Sequence, residues 1–491
     1  MTLPRFRCYI DGAFVDTDET FESIDPSTGG AWAVMPAASA VDTDRAVRAA
    51  YRALSDAAWA GLTATQRGKL LYKLGDLLAE HAPRLAELET RDTGKIIRET
   101  RAQIGYIADF YRYFGGLADK AEGAHLPIDK PDMEVYLRRE PIGVVAAVVP
   151  WNSQLFLSAV KLAPALAAGC TVVLKASEEG PAPLLEFGKL VEQAGFPKGV
   201  VNILTGFGQS CGKALTSHPL VARIAFTGGP ATAQQIVHNS AENLANISLE
   251  LGGKSPVLVF RDADLDSVAN AIVAGIFAAT GQSCVAGSRL YVERPIYDKL
   301  VDMLVAKARA IRMGDPQDPA TEMGPLATAR QRAHIEALLS QSVASGARIL
   351  TGGQIPPDRK DGFYFEPTIV ACANNQVPCV AEELFGPVLS VIAFDGEEEA
   401  VTLANDTRYG LASGVFTRDL TRAHRLVRRI RAGIVWVNTY RAISPLAPFG
   451  GFGLSGLGRE GGADSIRDYT RSKAVWIRTS DDPIPDPFVM R

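Results

Sequence analysis

The chain has 491 residues, a formal net charge of -4, and apolar and charged fractions of 47% and 22%. That length exceeds a single hydrophobic core and predicts two or three domains. The composition is that of an ordinary globular protein, and so small a charge gives no electrostatic footing for nucleic acid or an anionic membrane surface, so neither is expected as a partner.

Taken in chain order, Met1 to Asp11 carries two arginines but no apolar core of a secretory signal, and none is expected. Asp42 to Trp59 has an Asp/Thr start and helical spacing of Val47, Ala50, Leu54 and Ala57, which predicts a helix; Thr63 to Thr90 predicts a longer amphipathic one. Alternation at Val135, Leu137 and Arg139, within Ala124 to Arg139, predicts a strand, as does alternation in Lys473 to Arg478, and the two could pair into a small separate sheet. From Pro141 to Phe260, short β-branched runs alternate with helical stretches: Val144–Val149, Thr171–Leu174, Val200–Leu204, Arg223–Phe226 and Ile247–Leu251. This predicts βαβ units around a parallel sheet. A second α/β region runs from Pro256 to about Phe452, with apolar segments at Ser288–Val292, Val388–Phe394, Gly414–Thr417 and Ile434–Asn438. The longest apolar stretches, Val144–Val149 and Ile272–Ala279, are too short to span a bilayer.

The six cysteines, at 8, 170, 211, 284, 372 and 379, form no C-x-x-C pair and no cluster with histidine. A disulfide framework or metal site is not expected, and reduced thiols fit a cytoplasmic location. Cys284 stands out in Gly281-Gln282-Ser283-Cys284-Val285. A buried cysteine is often only a small hydrophobe, but Gly281 and Gly287 would permit a substrate carbonyl to come close to this thiol. Glu250 ends the apolar run Ile247-Ser248-Leu249, where a strand would carry it into a cleft or into an ion pair. Asn152, after Pro150-Trp151, opens a helical stretch reaching Ala168 and could cap it, face a substrate, or both. Together these supply a thiol to attack a carbonyl, an amide to hold the oxyanion, and a carboxylate to activate water.

Three motifs in this order, Pro150-Trp151-Asn152, Leu249-Glu250-Leu251-Gly252-Gly253-Lys254 and Gly281–Val285, resemble the NAD(P)-dependent aldehyde dehydrogenase superfamily. The resemblance runs from about Tyr9 to about Trp476. It implies a Rossmann-type cofactor domain (1–121 and 141–252), an α/β catalytic domain (253–453), and a small β oligomerisation arm with the C-terminal segment (122–140 and 454–491). It further implies a homodimer or homotetramer acting on a small-molecule aldehyde. Cys284 becomes the nucleophile, Glu250 the general base, and Asn152 part of an oxyanion hole with the Cys284 backbone N–H. Lys161 and Glu460 match positions linked to proton transfer.

The same resemblance implies a cofactor site. Gly206 to Gly212 misses G-x-G-x-x-G by one position, and Gly208 is expected in a loop near the adenosine end. Phe226-Thr227-Gly228-Gly229 would set a helix start at the diphosphate. The chain departs from the family here, with Gly229 and Ala233 where serine and glycine are usual. Lys175, Ser177 and Glu178 match the adenosine ribose site, whose carboxylate favours NAD over NADP. Trp151, Leu251, Glu383 and Phe385 fall at the nicotinamide end. The aldehyde tunnel is expected at Ser153, Phe156, Leu157, Val160, Ser283, Val285 and Ile443, and should be wider than in members with larger rings at 153, 160 and 443. Arg441, at its mouth, either binds a distal substrate carboxylate or is a surface arginine. The rival readings are a CoA-acylating aldehyde dehydrogenase, which generally lacks the glutamate of position 250, and a non-catalytic cofactor-binding protein on the same scaffold.

Overall fold

A computed structural model describes residues 2–489. Its largest sheet has eight strands, in the order Gly456–Leu457, Asn246–Leu251, Val221–Gly228, Val144–Val148, Thr171–Ala176, Val201–Thr205, Cys8–Ile10 and Ala13–Val15. The five central strands run parallel. The outer pairings are antiparallel. Helices cover both faces, which is why the parallel strands read as continuous apolar runs. The chain proceeds from Val144–Val148 outward through Thr171–Ala176 and Val201–Thr205, then returns to Val221–Gly228 on the other side of the first strand. Strand order therefore reverses between Val144–Val148 and Val221–Gly228, and the crevice beyond their C-terminal ends is where open α/β sheets bind ligands.

The second sheet has seven strands, ordered Arg348–Thr351, Thr368–Ala371, Val388–Phe394, Arg289–Glu293, Pro256–Val259, Ala412–Phe416 and Ile434–Val437. All pair in parallel except Arg348–Thr351 at one edge. A third sheet joins the two distant alternating segments: Thr470–Arg478 pairs antiparallel with Met133–Pro141 from Thr470↔Pro141 to Arg478↔Met133, and Ala124–Leu126 adds a third strand. Gly456–Leu457, in contrast, extends the eight-stranded sheet beside Leu249 and Glu250.

Both early helices differ from expectation by a break. Asp42–Trp59 is two helices, Ala40–Ala53 and Ala57–Ala60; Asp56 caps the second by accepting from Ala58 N, so the chain turns where apolar spacing alone would run on. Asp42 is not the cap of the first but the third residue of a capping box with Ser39. Thr63–Thr90 divides at His81 into Ala64–Glu80 and Ala82–Thr93, because Pro83, in the first turn of the second helix, cannot sit in the interior of a continuous one. No helix among the described residues is long and apolar enough to cross a membrane.

Candidate active site

Two strand ends at the reversal of strand order build one wall of the site. After Val144–Val148 the chain passes Trp151 and Asn152 before the helix Gln154–Ala168. Asn152 does not cap that helix. Ser153 occupies the cap position without a capping bond, and Asn152 Nδ2 instead donates to the Gln282 carbonyl at 3.0 Å, two residues before Cys284. Ser153 Oγ donates to the Asn152 carbonyl at 2.6 Å and accepts from Lys95 Nζ at 2.9 Å. After Val221–Gly228, Gly229 caps the helix Pro230–Ser240 and presents its free N–H groups to the crevice. A Cβ at Gly229 would meet nothing within 4 Å.

Cys284 is carried by an unusual turn. The helix Leu265–Phe277 ends, and Ala279, Thr280 and Gly281 follow with φ of 52°, 55° and 72°. Two consecutive non-glycine residues in the left-handed region each cost about 1–2 kcal/mol, so the surroundings must impose the turn. Gly281 and Gly287 do not make room for a substrate, contrary to expectation. A Cβ at Gly281 would overlap the Gly386 carbonyl, and one at Gly287 would stand 2.8 Å from Val257 Cγ2; both glycines admit neighbouring protein. Gly253 has the related role, since its Cβ would lie 2.8 Å from the Cys284 carbonyl. Cys284 is half-buried, and burial pushes its thiol up to about 12, with the Glu383 and Glu250 carboxylates adding and Arg441 opposing.

Glu250, on the strand Asn246–Leu251, is 3% exposed, and neither carboxylate oxygen has a hydrogen-bond partner. Burial raises it well above the usual carboxylate range, Glu460 adds repulsion, and Lys161 and Arg459 oppose. Lys161 Nζ is fully buried, pairs with Glu460 Oε1, and donates to Thr227 Oγ1 at 2.7 Å. Residues far apart in sequence thus meet beside Glu250. Glu383 Oε1 accepts from Gly253 N at 3.0 Å, and burial raises its carboxyl to about 7. Phe385, at φ 51°, packs edge-on to Trp151 with ring centroids 5.5 Å apart.

A cavity of about 810 Å³ unites these groups. It is lined by Trp151, Asn152, Ser153, Phe156, Leu157, Val160, Ser283, Cys284 and Val285, and also by Thr227, Gly228, Gly229, Glu250, Leu251, Glu383 and Phe385. Arg441, Ile443 and Glu460 also line it. Lys161, Lys175, Ser177, Glu178, Gly208 and Phe226 stand outside this lining. Lys175 belongs to the strand Thr171–Ala176, just past the apolar run Thr171–Leu174, and donates to the Ala176 carbonyl at 3.1 Å and to Glu178 Oε2 at 3.4 Å. Gly208 opens a five-residue helical turn, not a loop, and that turn lies against Lys175: a Cβ at Gly212 would be 3.7 Å from Lys175 Cε. The Ser177 hydroxyl accepts from Glu179 N at 3.2 Å.

Sequence reading missed one side of the cavity. Lys95 and, from the helix Ile97–Leu117, Glu99, Gln103, Tyr106 and Phe110 line it. Their near four-residue spacing puts them on one helical face, but nothing local ties that face to a cysteine almost two hundred positions later. Arg441 is half-buried and anchored, its Nη1 donating to the Ala274 carbonyl at 3.1 Å and the Ala278 carbonyl at 3.5 Å.

A sequence model of the aldehyde dehydrogenase family matches residues 14–475. The chain belongs to that family. It is 61% identical over 490 residues, covering 100% of each chain, to (Z)-2-((N-methylformamido)methylene)-5-hydroxybutyrolactone dehydrogenase of Acinetobacter baylyi. It is 38% identical to a putative aldehyde dehydrogenase of Bacillus subtilis, covering 97% of this chain and 96% of the relative. Among solved structures, a putative aldehyde dehydrogenase from Burkholderia cenocepacia superposes with a TM-score of 0.96 at 44% identity, covering 98% and 99% of the two chains. Betaine aldehyde dehydrogenase from Staphylococcus aureus, in complex with NAD+, does so with 0.96 at 38% identity, covering 99% and 97%. As an aldehyde dehydrogenase, the chain is an enzyme of the oxidoreductase class.

Proposed function

We propose that this aldehyde dehydrogenase oxidises an aldehyde to the carboxylic acid with NAD, through a covalent acyl group on Cys284. The observation that carries this reading is the meeting of Cys284, the unpartnered buried Glu250 and the Asn152 amide in one cavity at the reversal of strand order. The open start of Pro230–Ser240 fits a cofactor diphosphate, with Gly229 leaving room for it. Lys175 and Glu178 would hold the adenosine ribose, with Ser177 and Gly208 close by, and Glu383 and Phe385 the nicotinamide end. Bound NAD supplies the hydride acceptor.

The chain's own residues do the rest. The resting thiol of Cys284 is neutral and loses its proton before it attacks. Attack of the thiolate on the aldehyde gives a thiohemiacetal whose oxyanion meets Asn152 Nδ2 and the Cys284 N–H. Loss of hydride leaves a thioester, and Glu250 takes a proton from the water that hydrolyses it. Lys161 and Glu460 carry protons away from Glu250. The carboxylate at position 250 argues for hydrolysis over acyl transfer to CoA. Exposed Trp476 and Ile477, on the three-stranded sheet, support a homodimer or homotetramer. Reduced cysteines fit a cytoplasmic enzyme.

The substrate class we favour is an aldehyde bearing a carboxylate. The 61% identical relative is named for a 5-hydroxybutyrolactone, and such a ring is the closed form of a 4-oxo acid: opening it gives one aldehyde and one carboxylate. Arg441 lines the cavity, and among the described residues only its Nη1 is engaged, leaving the rest of the guanidinium for a carboxylate. The test is NADH formation over a panel of neutral and ω-carboxy aldehydes, with and without CoA. Turnover that requires CoA, or none with any aldehyde, removes the hydrolytic reading.

A further inference from the structure

Outside the active cavity, the described residues hold one close pair of sulfur atoms. Cys372 Sγ and Cys379 Sγ are 3.6 Å apart. Cys372 follows the strand Thr368–Ala371 and is half-buried; Cys379 lies in the short helix Pro378–Ala381 and is fully buried. Between them, Asn375 is pinned by the Tyr291 hydroxyl at 2.7 Å and by its own bond to the Leu403 carbonyl at 2.9 Å, so the two cysteines stand on a fixed turn. Lys254 adds an independent observation. It is 2% exposed, its Nζ has no hydrogen-bond partner, and after the burial that lowers it to about 8, the first charge acting on it is that of Cys379. A buried amine without a partner is costly unless a negative group faces it. Cys379, as a thiolate, and the Glu383 carboxylate are such groups, and the hydrogen-bonded contact between the two thiols lowers Cys379, with Ser342, Ser390 and Lys254 assisting, while it raises Cys372.

We propose that Cys372 and Cys379 form a peroxide-sensitive dithiol whose oxidation weakens cofactor binding. Cys372, the residue that solvent reaches, passes its proton across the 3.6 Å contact to the Cys379 thiolate and attacks the hydroperoxide oxygen as the thiolate; the departing hydroxide or alkoxide takes that proton back from Cys379. The Cys372 sulfur takes the oxygen to become a sulfenic acid, and the peroxide leaves as water, or as an alcohol if alkylated. Cys379 thiolate then attacks the Cys372 sulfur, and the displaced hydroxide takes a proton to leave as water. The two thiols lose two hydrogens and two electrons in all, and the peroxide is reduced by the same two electrons.

Closing the 3.6 Å gap to a bond of about 2.05 Å moves the sulfurs together by about 1.5 Å. Cys379 lies four residues before Glu383, whose carboxylate holds the Gly253 N–H, and six before Phe385, which packs on Trp151. The pull therefore reaches the segment facing the nicotinamide end. This coupling, unlike the dithiol itself, rests on the NAD reading above.

The full-length Cys284→Ala protein, which removes the competing active-site thiol, is treated with hydrogen peroxide. Two quantities are read: the mass of the proteolytic peptide carrying residues 372 and 379, and NAD affinity from tryptophan fluorescence. The expected result is loss of two hydrogens from that peptide, reversed by dithiothreitol and absent when Cys372→Ala is added, with a several-fold reversible weakening of NAD. Peroxide that leaves both thiols free, or drives Cys372 to the sulfinic acid without a disulfide, overturns the site. A disulfide that leaves NAD affinity unchanged overturns the coupling. Failure of the reduced protein to bind NAD at all counts against the cofactor reading instead, since the peptide mass does not depend on it.

Discussion

Glu99 and Arg441 hold opposite ends of one peptide group. Both Glu99 carboxylate oxygens accept from Ala279 N at 3.0 Å, while Arg441 Nη1 donates to the carbonyl of the same peptide, Ala278 O, at 3.5 Å. That peptide leads directly into the left-handed residues Ala279, Thr280 and Gly281, and so into Cys284. Thr280 Oγ1 adds a bond to the Gly324 carbonyl at 3.1 Å, and Gln282 Oε1 accepts from Ala327 N at 2.9 Å. The strain of the turn is thus offset by partners from three separate stretches of chain.

Glu99→Ala should lower kcat/KM by about tenfold to a hundredfold, because a nucleophile displaced by about 1 Å loses that much. Glu99→Gln keeps an acceptor for Ala279 N–H and should recover most of it. The companion readout is the rate of Cys284 alkylation by iodoacetamide, followed by peptide mass. If the alanine and glutamine variants fall together, and only in step with a lower Tm, Glu99 acts on stability and not on the turn.

Cys284→Ala should abolish aldehyde oxidation and leave NAD binding nearly intact, because the thiol forms the covalent bond and touches little of the cofactor crevice. Dehydrogenase activity that survives this change would discard the covalent mechanism.

Glu250 gives opposite signs for activity and stability. As a base it must be ionised, so deacylation should rise as pH climbs through its raised value, and Glu250→Gln should show a burst of NADH followed by slow turnover at every pH. For stability, the folded chain holds this proton more tightly than the unfolded chain does. The carboxyl's contribution is therefore fully present below about pH 4 and is lost as pH rises toward the folded value. Glu250→Gln should accordingly raise Tm at alkaline pH, with the gain vanishing in acid. A gain that is largest in acid would contradict the burial argument.

Gly229→Ser should be accommodated, since Gly229 has φ -82° and open space at its Cβ. Serine adds a preferred cap and one donor toward the expected diphosphate, which should tighten NAD by about twofold to tenfold. Unchanged or weaker NAD binding, measured by titration calorimetry, would show that the diphosphate does not lie at this helix start.

Arg441→Ala should reduce kcat/KM for an ω-carboxy aldehyde by about tenfold to a hundredfold more than for a neutral aldehyde of equal length, the worth of a charged hydrogen bond, because loss of its bond to the Ala278 carbonyl falls on both alike. Equal losses on both would assign Arg441 solely to the Ala278 carbonyl and the turn it supports.

By itself the sequence determined what repeats locally or is spelled by adjacent residues. The apolar runs beginning at Val144, Thr171, Val200, Arg223 and Ile247 named a parallel sheet because a strand buried on both faces must be apolar throughout. The family motifs around Asn152, Glu250 and Cys284 named the chemistry, and all three line the cavity. Tertiary structure decided what depends on contact between distant segments. It joined Thr470–Arg478 to Met133–Pro141, turned Asn152 from a helix cap toward Gln282, and gave Gly281 and Gly287 to protein neighbours. It also brought Lys161, Thr227 and Glu460 beside Glu250 and set Glu99 against the peptide before Ala279. No local pattern encodes these pairings, because a hydrogen bond or an overlap depends on distance in space, and that distance exists only once the sheets have packed.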